Sequence, residues 1–408
     1  MEKLGDPAEA QALVERCRIE SLRLLRENLT PRGILAARRT EAARARRYTR
    51  VFGRDAAICA LAMCGSGDAA LEQGAIASLD ALVEQQAGNG QIPKYVDPER
   101  RDADFWYLGC IDATLWWLIA VDHLRRAGAV PPGHWGEGVE RATAWLMAQE
   151  HPHFRLLQQN EASDWADIMP RSGYVLYSNA LWYDVKRRFG LEAQEATRHH
   201  FNHLFHPFRR DLPEYHRARL LRHYATRGRR DSGLYLSFVN FAFAGNEGDV
   251  FGNLLAVLAG LAGDSAGQRI VRAIAAEGAA DPWPIRVVLH PLSRRHELWR
   301  PYMARHEQNR VHSYHNGGLW PFVGGFWVLA LAQLGLGRQA RDALVALAQA
   351  NAREGWRFTE WFHGRTLAPH GMAGQSWNAA TFLLAEAALR GQPSPWGRAA
   401  GDAPTAGA

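Results

Sequence analysis

The sequence is poor in cysteine, methionine and lysine, and it has no long apolar run. Among 408 residues there are 4 Cys and 6 Met, and Lys occurs only at positions 3, 94 and 186. Four scattered thiols exclude a disulfide scaffold and suit a reduced, cytoplasmic protein. The longest apolar stretches, such as 108–121, are interrupted or shorter than the roughly 20 residues that a membrane span needs. Residues 1–11 have no apolar core, so we expect no signal peptide.

The composition that is present is typical of a folded globular chain. It is 47% hydrophobic and 22% charged, which excludes disorder and collagen-like repeats. The 15 Trp outnumber the 11 Tyr, and arginine carries almost all of the positive charge behind a formal net charge of +6. A basic balance is compatible with nucleic-acid binding, and abundant Trp with a cleft that stacks sugars or bases. Composition alone does not choose between them.

Helical spacing dominates the chain. The apolar periodicity predicts twelve helices, at 8–29, 54–64, 69–86, 111–126, 138–149, 177–189, 193–205, 253–261, 267–277, 324–334, 339–352 and 375–389. Short β-hairpins are expected near residues 30–35 and at 357–368. No linker divides the chain, so we expect one all-α domain at 1–390, with paired helices in a ring. An Ala/Gly/Pro-rich tail at 391–408 is expected to be disordered or loosely attached.

Five segments combine aromatic side chains with hydrogen-bonding groups, as sugar recognition requires. They are YTRVFGRD at 48–55, GQIPKYVD at 90–97 together with 110–117, 160–183, SYHNGGLWPF at 313–322, and 355–377. Trp stacks on the apolar face of a sugar ring, while Asp, Asn, Gln, Arg and His bind its hydroxyls. The stacking candidates in these segments are Trp117, Trp165, Trp320, Trp361 and Trp377.

Two carboxyl groups in these segments suit glycoside hydrolysis. An inverting glycosidase needs one carboxyl as acid and one as base, about 6.5–9.5 Å apart. Asp167 and Glu360 are the best candidates, because each lies near a Trp that can raise a carboxyl pKa. Asp164, three residues before Asp167, is a rival acid and a candidate substrate contact. From spacing alone, an Asp near Trp is more often a salt-bridge partner.

A series of motifs, in the same order along the chain, is similar to one known family. Arg54-Asp55 resembles its RD at a helix start, and IDATLWW at 111–117 resembles VDSGLWW. FGNLLA at 251–256 resembles LGNL(L/M)A, and YHNGGLWP at 314–321 is almost identical to YHNGGSWP. EWFHG at 360–364 resembles EYYDG, and QSW at 375–377 resembles QTW. The sequence thus resembles the alkaline/neutral invertases, glycoside hydrolase family 100, in a clan shared with family 63 α-glucosidases.

The resemblance implies both a fold and residue roles. It implies an (α/α)6 barrel of about twelve helices and an inverting hydrolase with no cofactor and no catalytic metal. Asp167 falls on the general acid and Glu360 on the general base that activates water. The positions implied to line the sugar pocket are Arg54, Asp55, Asp112, His315, Asn316, Trp320, Gln375 and Trp377.

The segment after Asp167 departs from the invertase pattern. The family continues RRMGIYGYPIEIQ, whereas this chain has IMPRSGYVLYSN, with Tyr177 and Asn179 in place of the family's Glu and Gln. Asp-x-x-Pro-Arg is closer to the α-glucosidase branch. We therefore expect sucrose hydrolysis, by a narrow margin. The alternative is an exo-α-glucosidase or amylo-α-1,6-glucosidase-like activity, including action on a glucosylated compatible solute. A carbohydrate-binding protein without activity is the non-enzyme alternative.

Two further patterns suggest other functions less strongly. His199, His200, His203 and His206 have helical spacing that could hold a metal, but no zincin motif accompanies them, so we expect a solvated face. The arginine-rich stretches 38–50 and 209–230 are interleaved with acids, so we do not expect nucleic-acid binding. The expected partner is a small carbohydrate, with no membrane, and the sequence leaves a homo-oligomer open.

Overall fold

The computed structural model of the chain describes residues 6–100, 102–106, 110–208 and 218–396. The α-helices in these residues are α1 (Pro7–Asn28), α2 (Glu41–Ala45), α3 (Gly53–Met63), α4 (Ala69–Val83), α5 (Ile111–Arg126), α6 (Gly136–Met147), α7 (Leu176–Phe189), α8 (Gln194–Phe205), α9 (Ala218–Thr226), α10 (Val250–Leu258), α11 (Asp264–Ala276), α12 (Pro321–Gln333), α13 (Gly337–Trp356) and α14 (Ser376–Leu389), and a 3₁₀ helix spans Pro301–Glu307. All twelve predicted helices are present, with ends shifted by a few residues. Only α2, α9 and the 3₁₀ helix among these were not predicted.

Six helices form a closed inner ring. Helix α3 packs on α5, α5 on α7, α7 on α10, α10 on α12, α12 on α14, and α14 returns to α3. These helices are buried on all sides, and every residue of α3 is buried. Gly53 and Gly325 allow close approaches in this ring, because a Cβ at Gly53 would lie 2.8 Å from Ala113 and one at Gly325 would lie 2.5 Å from Thr381.

Six further helices form the outer layer. Helices α4, α6, α8, α11 and α13 each follow an inner helix and pack against it, and α1 packs on α14. They are amphipathic: α11, for example, buries Gly267, Ile270, Val271 and Ile274, which share one face at the spacing of an α-helix. The paired layers form the predicted (α/α)6 barrel.

Short strands connect the helices. They are β1 (Leu29–Thr30), β2 (Gly33–Ile34), β3 (Val51–Phe52), β4 (Tyr95–Val96), β5 (Ala103–Asp104), β6 (Gln158–Gln159), β7 (Gly173–Val175), β8 (Phe238–Val239), β9 (Ala244–Gly245), β10 (Trp361–Phe362) and β11 (Pro369–His370). The predicted hairpins are β1–β2 and β10–β11. Antiparallel sheets β3-β4-β5 and β6-β7-β8-β9 were not predicted, because two- or three-residue strands leave no alternating pattern in sequence.

The first residues of the predicted tail pack on the barrel. Trp396 is buried, its ring contacts Trp116 and Phe326, and its Nε1 donates a hydrogen bond to Asp184. The expectation of loose attachment is therefore wrong as far as Trp396. Residues 397–408 of the tail, and 209–217 of the arginine-rich stretch, lie outside the described residues. No helix in the part of the chain described above has the length and apolarity needed to cross a bilayer.

Candidate active site

The second residues of the six inner helices form a closed circle of contacts. Each side chain touches the next one around the ring; in order they are Arg54, Asp112, Tyr177, Phe251, Phe322 and Trp377. The circle shows that all six inner helices begin at the same end of the barrel. Their dipoles therefore place partial positive charge at that end, where it favours carboxylates.

A buried ionic network links the first three members of this circle. Arg54 Nη1 donates to Asp112 Oδ2 at 2.7 Å, and the same oxygen accepts from the Tyr177 hydroxyl at 3.0 Å. Asp55 lies beside it, with its Oδ2 3.7 Å from Arg54 Nε. Burial raises the pKa of Asp55 to about 6, although Arg54 opposes this. Asp112 is buried, and its contacts with Arg54 and Tyr177 hold the Arg54 guanidinium in place.

Glu360 is buried and held by two neutral donors. It lies just before β10, and its side chain is 3% exposed. Oε1 accepts from the Tyr48 hydroxyl at 2.8 Å, and Oε2 accepts from the Met372 backbone N–H at 2.7 Å. Burial raises the pKa of Glu360 to about 7, and these two hydrogen bonds only partly offset it. A carboxyl poised near neutrality suits proton transfer.

Asp167 lies in the loop between β6 and β7 and is more open to solvent. Its side chain is 31% exposed, and its Oδ1 lies 3.4 Å from Lys94 Nζ. Burial acts to lower the pKa of Lys94, but the Asp167 carboxylate, together with Cys110, more than offsets burial and leaves that pKa raised. The Lys94 ammonium is therefore a charged neighbour of the predicted acid.

Two tyrosines connect the two predicted catalytic carboxyls. Burial, together with the charges of both Asp167 and Glu360, raises the pKa values of Tyr48 and Tyr314 well above the ordinary tyrosine value. Each phenol therefore lies close to both carboxyls. Asp167 also raises the pKa of Asp55. The structure thus brings the predicted acid and base, from loops almost 200 residues apart, to the same end of the ring.

The rival acid, Asp164, is committed to the protein. It is buried, and it accepts hydrogen bonds from Gln159 at 3.0 Å and from the Ala166 N–H at 2.8 Å. Burial raises its pKa, and Arg171 opposes this. Since Asp164 holds its own loop and is closed to solvent, Asp167 is the better placed of the two to meet a substrate.

Several predicted pocket residues present buried polar atoms that no protein group satisfies. These atoms are both ring nitrogens of His315, both amide atoms of Gln375, and Nε1 of Trp165 and of Trp377. Burial lowers the pKa of His315 well below its ordinary value, so the imidazole is neutral. Buried groups of this kind are suited to the hydroxyls of a sugar.

The aromatic residues of the predicted pocket pack around these groups. Trp320 stacks on His315 with 5.0 Å between ring centres, and Trp165 meets His315 edge-on at 4.6 Å. Trp377 stacks on Phe322 at 3.9 Å. Trp361 stacks on His370 of the facing strand at 4.5 Å and is 9% exposed. These four tryptophans lie with the site.

The side chains of Trp117 and Asn316 are bonded to other parts of the protein. Trp117 Nε1 donates to the Leu79 carbonyl of α4 at 3.2 Å, and its ring meets Trp135 beside α6. At 100° per residue, a side chain five positions after Asp112 points to the outer layer. The Asn316 amide is used by the backbone of Leu292 and Asn309. Nothing in these contacts supports the predicted role of either residue in binding sugar.

The histidines of α8 cluster without forming a recognisable metal site. The ring centres of His199 and His203 are 4.1 Å apart, and those of His199 and His200 are 5.2 Å apart. Burial and the neighbouring histidines lower the pKa of His200 to about 4. In residues 6–100, 102–106, 110–208 and 218–396, no group of three or more His, Cys, Asp or Glu side chains is arranged to hold a metal ion.

The site also contains residues that the sequence did not single out. Tyr48, Lys94 and Tyr314 all lie in the aromatic-rich segments, but nothing in their spacing distinguishes them. Lys94 had one available signal, because lysine is so rare in this chain. Arg171 forms a buried cluster with Asp249, at 3.2 Å, and with Glu247, at 3.4 Å.

Comparison with known proteins supports both the motifs and the fold. Residues 248–392 match the family described as alkaline and neutral invertase. Probable alkaline/neutral invertase D of Arabidopsis thaliana is 32% identical over 143 residues, which are 34% of this chain and 26% of the relative. Cytosolic invertase 1 of Oryza sativa subsp. japonica is 30% identical over 143 residues, 34% of this chain and 25% of its own length. The match thus spans about a quarter of each of these relatives.

Solved structures match over nearly the whole chain. A GH63 mannosylglycerate hydrolase from Thermus thermophilus, in complex with glucose, has a TM-score of 0.62 and 14% identity over 90% of this chain and 99% of its own. A glycosidase variant in complex with glucose has a TM-score of 0.60 and 15% identity, covering 95% of this chain and 100% of its own. The chain is therefore invertase-like in sequence over residues 248–392 and has the (α/α)6-barrel fold of the family 63 glycosidases.

Proposed function

We propose that the chain is an inverting glycoside hydrolase that cleaves an α-glucosidic bond of a small sugar. The observation that carries the proposal is that Tyr48 donates to Glu360 at 2.8 Å and that the charges of both Asp167 and Glu360 raise the pKa values of Tyr48 and Tyr314. Two carboxyls at one site, among unpaired buried donors and aromatic rings, are the equipment of glycoside hydrolysis.

The proposed reaction assigns one proton transfer to each carboxyl. Asp167 donates a proton to the glycosidic oxygen as the bond from that oxygen to the anomeric carbon breaks. Glu360 accepts a proton from the water that attacks the anomeric carbon from the opposite face. The products are a sugar with inverted anomeric configuration and a free alcohol. Both carboxyls then return to their starting forms by exchange with solvent.

The surroundings of Glu360 support its role as the base. Tyr48 and the Met372 N–H fix the carboxylate in one orientation, which places a catalytic oxygen without motion at the moment of reaction. A pKa of about 7 leaves it ionised above neutrality and basic enough to accept a proton from water.

The first glucosyl unit is proposed to bind among the inner-helix N-termini. Arg54 and Asp55 at the start of α3 and Gln375 at the start of α14 supply hydrogen bonds, and His315 supplies two neutral ring nitrogens. Trp377 supplies an apolar ring, and the guanidinium carbon of Arg54 lies 5.9 Å from the centre of that ring. Asp112 contributes by holding Arg54.

Sucrose is the proposed substrate, because the motifs that carry Glu360, His315 and Gln375 lie in the part that resembles the invertases. An exo-α-glucosidase or amylo-α-1,6-glucosidase-like activity is the alternative, since the segment around Asp167 departs from the invertase pattern. Glucosylated solutes belong to that alternative. The four free thiols and the similarity to a cytosolic invertase support a cytoplasmic location.

The test is hydrolysis of sucrose, maltose, isomaltose, panose and glucosylglycerate, with the released anomer followed by NMR. We expect β-glucose first. Glu360→Gln should abolish turnover of every sugar that responds, whereas Glu99→Gln, an isosteric change at an exposed carboxyl, should leave it intact. Initial release of α-glucose, or near-normal turnover by Glu360→Gln, would contradict the mechanism. Tight sugar binding with no hydrolysis would favour a carbohydrate-binding protein.

A further inference from the structure

Asp167 lies in a tight turn that is held from outside its own loop. The Met169 N–H donates to the Ala166 carbonyl at 2.9 Å. This bond closes a β-turn with Asp167 and Ile168 at its corner. Nδ2 of Asn309 donates to the Ile168 carbonyl at 3.0 Å. The peptide directly after the corner is therefore fixed by a residue from a distant part of the chain.

Asn309 is itself fixed by its surroundings. Its side chain is completely buried, and it follows the 3₁₀ helix, where its N–H donates to the Met303 carbonyl at 3.1 Å. Its carbonyl accepts from Nδ2 of Asn316 at 3.1 Å. The Asn316 side chain also bonds both backbone groups of Leu292, at 2.7 and 2.9 Å. The motif residue Asn316 therefore supports Asn309, which in turn holds the Asp167 turn.

The same arrangement occurs at Glu360. Asn378 lies in α14 and is completely buried, and its Nδ2 donates to the Thr359 carbonyl at 2.7 Å. That carbonyl belongs to the peptide bond that joins Thr359 to Glu360. Each proposed catalytic carboxyl is thus next to a backbone carbonyl that a buried asparagine holds, although the two asparagines come from different elements of the fold.

Neither asparagine side chain has another hydrogen bond in the part of the chain described above. The bonds to Ile168 and Thr359 use the amide nitrogens, and the amide oxygen of each asparagine is buried without a partner. A buried, unpaired polar group costs about 1–3 kcal/mol. A leucine of similar size would avoid that cost, so the bond from the amide nitrogen is what distinguishes asparagine at these two positions.

We propose that Asn309 and Asn378 are positioning residues, one for each proposed catalytic carboxyl. Asn309 fixes the turn that presents Asp167, and Asn378 fixes the peptide that presents Glu360. A misplacement of about 1 Å can cost about 100-fold in rate, and loss of either bond frees the adjacent peptide to make such a shift. This inference rests on the proposed function, because it takes Asp167 as the acid and Glu360 as the base.

The chemistry of the substrate separates the two roles. A sugar with an alcohol leaving group needs both a proton from the acid and a water activated by the base. In α-D-glucosyl fluoride the fluoride leaves with little help from an acid, but the attacking water still needs the base. A displaced acid therefore slows hydrolysis of the sugar alone, whereas a displaced base slows hydrolysis of both substrates.

The test makes the same substitution at both asparagines and compares kcat/KM on two substrates. They are α-D-glucosyl fluoride and the panel sugar that the wild type hydrolyses fastest. For Asn309→Ala we expect a fall of about 10-fold on the sugar and of less than about 2-fold on the fluoride. For Asn378→Ala we expect a fall of about 10-fold on both.

A matched control removes the same kind of bond away from the site. Asn202 lies in the outer helix α8, and its Nδ2 donates to the Leu261 carbonyl at 3.1 Å. Asn202→Ala should leave kcat/KM on both substrates unchanged. If Asn309→Ala fails to fold, Asn309→Ser takes its place with the same expected difference between substrates, because the serine hydroxyl is too short to replace the amide nitrogen.

The outcomes distinguish this inference from the proposed function. Equal losses on both substrates in Asn309→Ala would overturn the inference, because a general structural defect acts on both alike. No loss in that variant, or unchanged fluoride hydrolysis in Asn378→Ala, would overturn it as well. In each of these cases hydrolysis by the wild type leaves the proposed function standing. A wild-type protein that hydrolyses neither substrate would fail the proposed function, and this inference with it.

Discussion

Replacing the proposed base, Glu360, with its neutral isostere should stabilise the protein while removing the proposed activity. Burial raises the pKa of Glu360 from its ordinary 4.5 to about 7. At 1.36 kcal/mol per pH unit, the ionised carboxylate therefore costs the folded protein about 3 kcal/mol at high pH. Glu360→Gln removes the buried charge and, with it, this loss of unfolding free energy.

The sign of the effect follows from the raised pKa. Below about pH 4.5 the carboxyl is protonated in both folded and unfolded chains, and the group costs nothing. Between about pH 4.5 and 7 the unfolded chain loses its proton while the folded chain keeps it, so the free energy of unfolding falls. Between pH 5 and 8.5 the wild type should lose about 2 kcal/mol relative to Glu360→Gln.

The amide of Gln at position 360 cannot make every hydrogen bond that the carboxylate makes. The decisive quantity is therefore the pH dependence of the stability difference between the two proteins. The Gln amide nitrogen only donates, so the side chain can accept from the Met372 N–H or from the Tyr48 hydroxyl but not from both, and one lost hydrogen bond costs about 1 kcal/mol at every pH. The assay is urea unfolding of both proteins across pH 5–8.5, with Glu99→Gln as the exposed control. A stability difference between wild type and Glu360→Gln that does not change with pH would refute the reasoning.

The remaining predictions concern the site and its supports. The kcat/KM of the wild type should fall about tenfold per pH unit below about pH 7, as Glu360 takes up a proton; a profile flat down to pH 5 would exclude this base. Gly371→Ala should lower kcat at least about 100-fold, because its Cβ would lie 2.2 Å from Glu360 Oε2 and Gly371 has φ +76°; wild-type kinetics would show that Glu360 does not need this geometry. Asp112→Asn should cost about 3 kcal/mol of unfolding free energy, since it leaves the buried Arg54 with only the 3.7 Å contact to Asp55 as an ion pair; a change below 1 kcal/mol in urea would contradict the network. Trp117→Phe should lower stability by about 1–3 kcal/mol with unchanged KM, and a raised KM would return Trp117 to the substrate site.

The fold was predictable because its elements are local and long. Periodicity over ten or more residues defines a helix without reference to the rest of the chain, and α5 was predicted to the residue, at Ile111–Arg126. Strands such as β3 and β8 have two residues each. These strands form because the loops at the site end of the barrel lie side by side. The loops are brought together only by closure of the helix ring, so the local sequence does not indicate the pairing.

The placement of the candidate site residues was predictable in part, and the side chains that lie elsewhere share a common cause. Motif resemblance singled out Glu360 and Asp167, whose catalytic roles stay predictions, but it could not say which way a side chain faces. Asp112 and Trp117 share a motif and a helix, yet they point to opposite layers of the barrel. The partner of Glu360, Tyr48, lies more than 300 residues earlier in the chain, and such a pairing leaves no trace in spacing.

The seam between the first and last inner helices has a consequence for how the protein matures. Helix α14 closes the ring on α3, and the end of the outer helix α1 is bonded to the start of α14 by Asn28, which donates to Gly374 and Ser376 at 2.9 Å each. The bond from Tyr48 to Glu360 crosses the same seam. A growing chain on the ribosome that lacks α14 would therefore hold a stack of helix hairpins with an apolar flank still open, and Tyr48 and Glu360 would not be held together by ring closure. Activity should appear in one step, with closure, and a protein stalled before α14 should need a chaperone to cover that flank.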